Sequence, residues 1–256
     1  VTGAVRALAV VAGLLGASTP GWAGAAKAAP ARERREVPTP AGRVRFDLYA
    51  PPSSFAGPRP LVVVAHGFGR SRAQMAAWGA HFSGVGYATA VPDLPAWSDH
   101  PRNGRAVGAL VASLLAHPPP GLALDRTRVA LVGFSAGGLA TLLAAADDPR
   151  VRLWIGLDPV DRDDAGARAA HRFKGAAVIL LAEPSACNAH GNARGIVEVL
   201  GDRAVVTRIP GATHVDAEWP TTRMARLACG GSDERRRQQF VAAATAALAD
   251  AFTADQ

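Results

Sequence analysis

Ser135 stands in the run Gly133-Phe134-Ser135-Ala136-Gly137, a G-x-S-x-G pattern that can present a serine hydroxyl as a nucleophile. Whether it does so depends on what flanks it. Residues 129–133 form a short apolar run that fits a buried strand, and an Ala/Leu-rich helical pattern follows over 139–146. A strand, a tight turn and a helix hold such a serine in a strained conformation and lift its hydroxyl above a sheet. Glycine suits 133 and 137 because a larger side chain would collide where strand and helix close up. A helix opening at Ala136 also points unpaired N–H groups at the space beside Ser135. With 27 glycines in the chain so loose a pattern can arise by chance, and the flanking strand and helix are what favour the catalytic reading.

A serine hydroxyl is a weak nucleophile near neutral pH and needs a base within hydrogen-bond reach. In the chain order Ser, acid, His the base comes late, past the last strand. Gly211-Ala212-Thr213-His214-Val215-Asp216 stands there, with Gly211 allowing a sharp turn. Position selects His214 over His171 and His190. Two carboxylates compete for the role of orienting acid. Glu183 follows the apolar run 176–182, where the acid commonly lies, and Asp158 ends the preceding run, 151–157. Asp158 is at a strand's carboxyl end, where open-sheet sites collect, although Asp before proline is also an ordinary turn residue. Asp161, Asp163 and Asp164 read as solvated. A developing oxyanion needs two preorganised donors. The Ala136 N–H is one candidate, and the Phe68 N–H in His66-Gly67-Phe68-Gly69, after the run 61–65, is the other.

These residues need a scaffold, and the patterning supplies one. Alternation over 42–49 predicts a half-buried strand. Continuous apolar runs at 61–65, 87–91, 129–133, 151–157, 176–182 and 204–209 predict strands covered on both faces. Helices are expected over 72–83, 104–115, 196–200 and 233–252, the second ended by Pro118-Pro119-Pro120. Strands alternating with helices imply an α/β fold with a mostly parallel sheet, in one domain over 41–256. The chain has 256 residues, 49% of them hydrophobic, enough for a full core. A net charge of +7 comes from scattered arginines without interleaved aromatics, a poor footprint for nucleic acid.

The beginning of the chain reads differently. Arg6, an apolar stretch over 7–17 too short to span a bilayer, and small residues at Gly21-Trp22-Ala23 and Ala26-Lys27-Ala28 predict a secretory signal peptide over 1–28. Val1 is read as an alternative start codon translated literally, which would make the chain a precursor. A charged, proline-bounded linker is expected over 29–40. Cys187 and Cys229 agree with export, since an even count in an oxidising compartment favours one disulfide over two buried thiols. Closing a loop of that length would stabilise the fold by about 4 kcal/mol. Two cysteines without a histidine cluster make no zinc site.

The chain resembles the α/β-hydrolases over almost all of 42–252, most of all the chlorophyllase-like group, with bacterial cutinases and polyester hydrolases a looser match. The resemblance is carried by Gly133-Phe134-Ser135-Ala136-Gly137-Gly138, Ile155-Gly156-Leu157-Asp158-Pro159-Val160-Asp161, Cys187-Asn188 with Asn192, and Gly211-Ala212-Thr213-His214-Val215-Asp216. The family's catalytic Asp falls on Asp158, which implies Asp158 over Glu183. The turn before His214 also looks like the cutinase histidine loop, where the acid follows the next strand. No Asp stands there in this chain, which again points to Asp158. Phe134 replaces the His usual before the serine, Ala136 replaces an Arg or Met, and Asn192-Ala193 replaces an Asn-His pair. The resemblance therefore implies ester hydrolysis without implying chlorophyll.

The expected protein is a secreted or periplasmic serine esterase, with Ser135, His214 and Asp158 as triad and the Phe68 and Ala136 amides as oxyanion hole. Trp97 and Trp219 are expected with Phe68 around an apolar substrate pocket. Only a short segment, 94–102, is available as a lid, which favours short-chain or polymeric esters. No metal or organic cofactor is called for, and a monomer without stable membrane insertion is expected. A serine peptidase or amidase on the same scaffold, and a binding protein with idle machinery, are the rival readings. A dienelactone-type hydrolase is disfavoured because its nucleophile is normally Cys.

Overall fold

The computed structural model describes residues 31–253, so the expected signal peptide lies outside the described residues. Eight strands form a single sheet in the order β1-β2-β4-β3-β5-β6-β7-β8. They are β1 (Arg32–Thr39), β2 (Gly42–Tyr49), β3 (Arg59–Ala65), β4 (Ala88–Pro92), β5 (Leu124–Phe134), β6 (Val151–Leu157), β7 (Ala176–Leu181) and β8 (Ala204–Arg208). The first two are antiparallel and the other six parallel. The helices are α1 (Ala76–Gly84), α2 (His100–Ala116), α3 (Ala136–Asp147), α4 (Ala165–Arg172), α5 (Arg194–Leu200), α6 (Arg223–Cys229) and α7 (Glu234–Thr253).

Burial on both faces explains why the central strands are apolar throughout. Leu61, Val63, Leu131, Trp154 and Ile179 pack beneath α2 to α5 on one face. Val62, Val64, Val132, Ile155 and Leu180 pack against Trp78, Phe82 of α1 and Phe240, Leu248 of α7 on the other. Each such side chain contributes roughly 1.5–3 kcal/mol by leaving water. Among the described residues no helix is long and apolar enough to cross a membrane.

The segment expected as a linker over 29–40 is, from Arg32 on, a strand. β1 pairs with β2 in continuous register from Arg32 opposite Tyr49 to Thr39 opposite Gly42. Its charges, which argued against a strand, are what an edge strand carries. Glu36 faces Arg45 and bridges to Arg43 and Arg45, and Arg32 pairs with the buried Asp47 at 2.6 Å. At the opposite edge, among the described residues, β8 has a neighbour on one side only, with Val205 and Val206 exposed.

Strand order reverses between β3 and β5, the position at which open parallel sheets build their sites. Ala65 lies opposite Gly133, and Phe134 opposite Leu157. The chain beyond β3, β5 and β6 therefore emerges side by side at one end of the sheet. That end carries His66, Ser135 and Asp158.

Candidate active site

The run 133–137 forms the elbow between β5 and α3. Ser135 has φ 54° and ψ −125°, a conformation that costs a non-glycine residue on the order of 1–3 kcal/mol. It is held there from three directions. Ser135 N–H donates to the Leu157 carbonyl, and the Ser135 carbonyl accepts from Gly138 and Val160. The two elbow glycines are steric necessities. A Cβ on Gly137 would stand 2.3 Å from the His66 carbonyl oxygen, and one on Gly133 would stand 2.3 Å from the Gly137 carbonyl oxygen.

His214 opens a single turn of 3₁₀ helix past β8, and its loop is packed from every side. Asp216 accepts from Thr213 N–H at 2.8 Å and Asp233 N–H at 2.6 Å and pairs with Arg236 at 2.6 Å. Glu218, fully buried, pairs with Arg70 at 2.5 Å and so ties this turn to the loop after β3. Burial pushes the Glu218 carboxyl up, and the Arg70 guanidinium pulls it back toward the charged form.

These elements bring Ser135, His214 and Asp158 into one hydrogen-bonded row. His214 Nδ1 lies 2.6 Å from Asp158 Oδ2, and His214 Nε2 lies 2.9 Å from Ser135 Oγ. A carboxylate accepts only, so Nδ1 carries the proton and Nε2 is left to accept from the serine hydroxyl. All three residues are at least nine-tenths buried. Phe134, where the resemblance expects His, packs on the imidazole with ring centroids 4.7 Å apart and keeps that face dry. Glu183, the competing acid, is exposed and accepts from Gly211 N–H at 3.1 Å, away from His214. His171 and His190 are exposed.

Beside the serine a cleft of about 300 Å³ is lined by Gly67, Phe68, Arg70, Leu94, Trp97 and Ala136, among others. Phe68 and Trp97 stand edge to face at 4.8 Å over its mouth and are 52% and 71% exposed. Trp219 does not join them. It packs on Trp78 and His81 of α1, and its backbone bonds to Gln74 and Ala77. The expectation for Trp219 is thereby corrected: its ring and backbone are taken up in docking the histidine loop onto α1. The segment expected as a lid is also pinned. The Asn103 side chain both accepts from and donates to the Ala96 backbone, each at 2.9 Å.

His66 went unassigned at the level of sequence, and its neighbours give it a role. Its Nδ1–H donates to the Gly67 carbonyl at 2.8 Å, and its Nε2 accepts from Leu94 N–H at 3.0 Å. The neutral ring thus staples the Gly67-Phe68 loop to the far wall of the cleft. Burial lowers its proton affinity, opposed by the bond to Gly67. The unfolded chain binds a proton near the ordinary imidazole value of about 6.5, whereas the folded chain resists it until a lower pH. Stability should therefore fall as pH drops below about 6.5 and stop falling once the folded ring protonates. Urea midpoints at pH 7 and pH 5 measure this loss, and H66N should show a smaller one.

Cys187 and Cys229 form the expected disulfide, with Cα atoms 5.7 Å apart and a sequence separation of 42. Replacing both by serine should lower unfolding stability by about 4 kcal/mol, read by denaturant titration. A loss under about 1 kcal/mol would show that the unfolded chain is not constrained by this loop.

No family model matches the chain, and no curated protein matches it in sequence. Among solved structures it is similar to that of a "putative dienelactone hydrolase" from Klebsiella pneumoniae subsp. pneumoniae MGH 78578, with TM-score 0.68 and 14% identity over 86% of this chain and 99% of that one. At this identity the likeness is one of architecture, and with the sheet order and elbow it shows that this chain has the α/β-hydrolase fold.

Proposed function

We propose that the protein is a serine esterase, a carboxylic-ester hydrolase working through an acyl-enzyme. The observation that carries this reading is the row Ser135–His214–Asp158, with Ser135 and Asp158 at the carboxyl ends of the adjacent β5 and β6 and His214 brought to them by the loop past β8. In it, Ser135 Oγ attacks the ester carbonyl while His214 Nε2 takes the hydroxyl proton, and His214 passes that proton to the departing alcohol. Water, deprotonated by His214, then cleaves the acyl-enzyme. Asp158 holds the imidazole in its Nδ1–H form and balances its charge. The Ala136 N–H, in a first helical turn where such groups lack partners, and the Phe68 N–H serve the oxyanion. The chlorophyllase-like and cutinase-like motifs support ester chemistry, as does the name of the structural neighbour, although the elbow here holds Ser instead of the Cys usual in dienelactone hydrolases.

The cleft is small and its aromatic pair stands open to solvent, which favours short-chain or surface-presented polymeric esters. Export to the periplasm or medium is part of the proposal, supported by the disulfide and the leader's composition. The test is hydrolysis of p-nitrophenyl acetate, butyrate and palmitate, beside labelling with a fluorophosphonate. Cleavage of the two short esters with labelling supports the reading. Inertness to all three and to the probe overturns it. A matched ester and amide pair separates an esterase from a peptidase or amidase.

A further inference from the structure

The acid of the row is held by a second piece of chain. Asp158 Oδ1 accepts from Ala182 N–H at 2.9 Å, and Oδ2 accepts from Asn188 Nδ2 at 3.0 Å as well as from His214. Asn188 is fully buried, and both ends of its amide are engaged. Nδ2 also donates to the Glu183 carbonyl at 2.9 Å, while Oδ1 accepts from Ser185 and Gly191 N–H at 2.8 and 3.1 Å. Such an amide has one orientation. Flipping it would set oxygen against the Asp158 carboxylate and NH₂ against two backbone donors.

The turn that carries Asn188 is itself anchored. Asn192 bonds the Asp161 backbone at both N–H and carbonyl, gripping the far end of the turn that Asp158 begins. Cys187 ties the same turn to Cys229, at the end of α6. Just beyond, the Gly231 carbonyl accepts from Thr213 Oγ1, beside His214. One covalent link therefore joins the support of the acid to the support of the base.

We propose that Asn188 is a positioning residue that fixes the Asp158 carboxylate for His214. The proposal rests on the reading of Ser135 and His214 as a working pair. With Ala182 alone on Oδ1, the carboxylate could turn about Cβ–Cγ and carry Oδ2 away from the imidazole. The Asn188 N–H occupies one lone-pair direction of Oδ2 and leaves the other for His214 Nδ1–H.

The test uses the full mature chain and two substitutions. N188A removes the amide, whereas N188D keeps the acceptor for Ser185 and Gly191 and replaces the Nδ2 donor, which serves Asp158 and the Glu183 carbonyl, by a carboxylate oxygen. Each should lower kcat on p-nitrophenyl butyrate by roughly ten- to a hundredfold, the scale of a lost hydrogen bond to a buried charge, with KM within about twofold. In a D158N background, N188D should cost less than about threefold, because an amide at 158 can donate to a carboxylate at 188. A structural role would cost the same in both backgrounds. The wild type should also show a downfield proton resonance from His214 Nδ1–H that N188D shifts or broadens. Should N188A fail to fold, N188D decides by the same readouts. If N188D leaves kcat within twofold and the resonance in place, or costs as much in the D158N background as in the wild type, the proposal is wrong. If the wild type cleaves no ester and takes no fluorophosphonate, the esterase reading fails separately. The resonance then judges Asn188 alone: unmoved in N188D overturns the proposal, shifted supports it.

Discussion

Ser135→Ala should lower kcat for p-nitrophenyl butyrate by about ten-thousandfold or more and abolish fluorophosphonate labelling. The expectation follows from Oγ being the only side-chain atom that faces His214 Nε2 in the row, at 2.9 Å. Removing the hydroxyl leaves a methyl group that neither attacks a carbonyl nor exchanges a proton. The backbone of the elbow should be untouched, since the bonds from Ser135 N–H to Leu157 and from Gly138 and Val160 to the Ser135 carbonyl do not involve the side chain. The melting temperature should therefore stay near that of the wild type, and residual ester cleavage should report whatever the oxyanion donors contribute alone. A variant retaining more than a tenth of wild-type kcat would show that the nucleophile is elsewhere.

Asp158→Asn should be nearly as damaging, about ten-thousandfold in kcat, and for a reason legible in the hydrogen bonds. Ala182 N–H demands an acceptor at the Oδ1 position, so the substituted amide must place its oxygen there. Its NH₂ then faces both His214 and the Asn188 amide. Facing a donor, His214 would hold its proton on Nε2, directed at Ser135, and cease to be a base. Glu183→Gln, measured in parallel, should keep kcat within about threefold. That carboxylate is half exposed and occupied with Gly211 N–H and Arg208, and an amide oxygen can still accept from Gly211. The opposite pattern would transfer the role of acid to Glu183.

Much of this arrangement can be read in the chain because the interior strands are buried on both faces and so appear as unbroken apolar runs. The run before Ser135, the glycines around it and the late His214 carry their geometry in their residue types. The acid was less legible. Spacing alone left Asp158 and Glu183 in competition, and what separates them is lateral register, with Phe134 opposite Leu157 and hence Ser135 beside Asp158. β1 was misread because its stability comes from pairing and cross-strand charges, so it shows no alternation of apolar residues. The short helices α4 and α6 bury only small residues, Gly166, Ala169 and Ala170 in the one and Ala225 in the other, so neither shows a face of large apolar side chains. Trp219 was misplaced because an aromatic near the candidate base His214 looks the same in sequence whether it meets substrate or docks a loop. Asn188 stands out in sequence only within the Cys187-Asn188 segment that carries the resemblance, a signal that names no partner.

The open flank of β8 bears on how the protein behaves at high concentration. A strand with exposed valines and, among the described residues, no strand on its outer side is a surface on which a second copy could add its own strand. The chain's cationic excess of +7 sets a repulsive barrier against that encounter near neutral pH. Alkaline buffers approaching the isoelectric point, or strong salt, would remove the barrier while leaving the fold intact. Colloidal stability of preparations should accordingly track electrostatics at this rim more closely than it tracks the melting temperature.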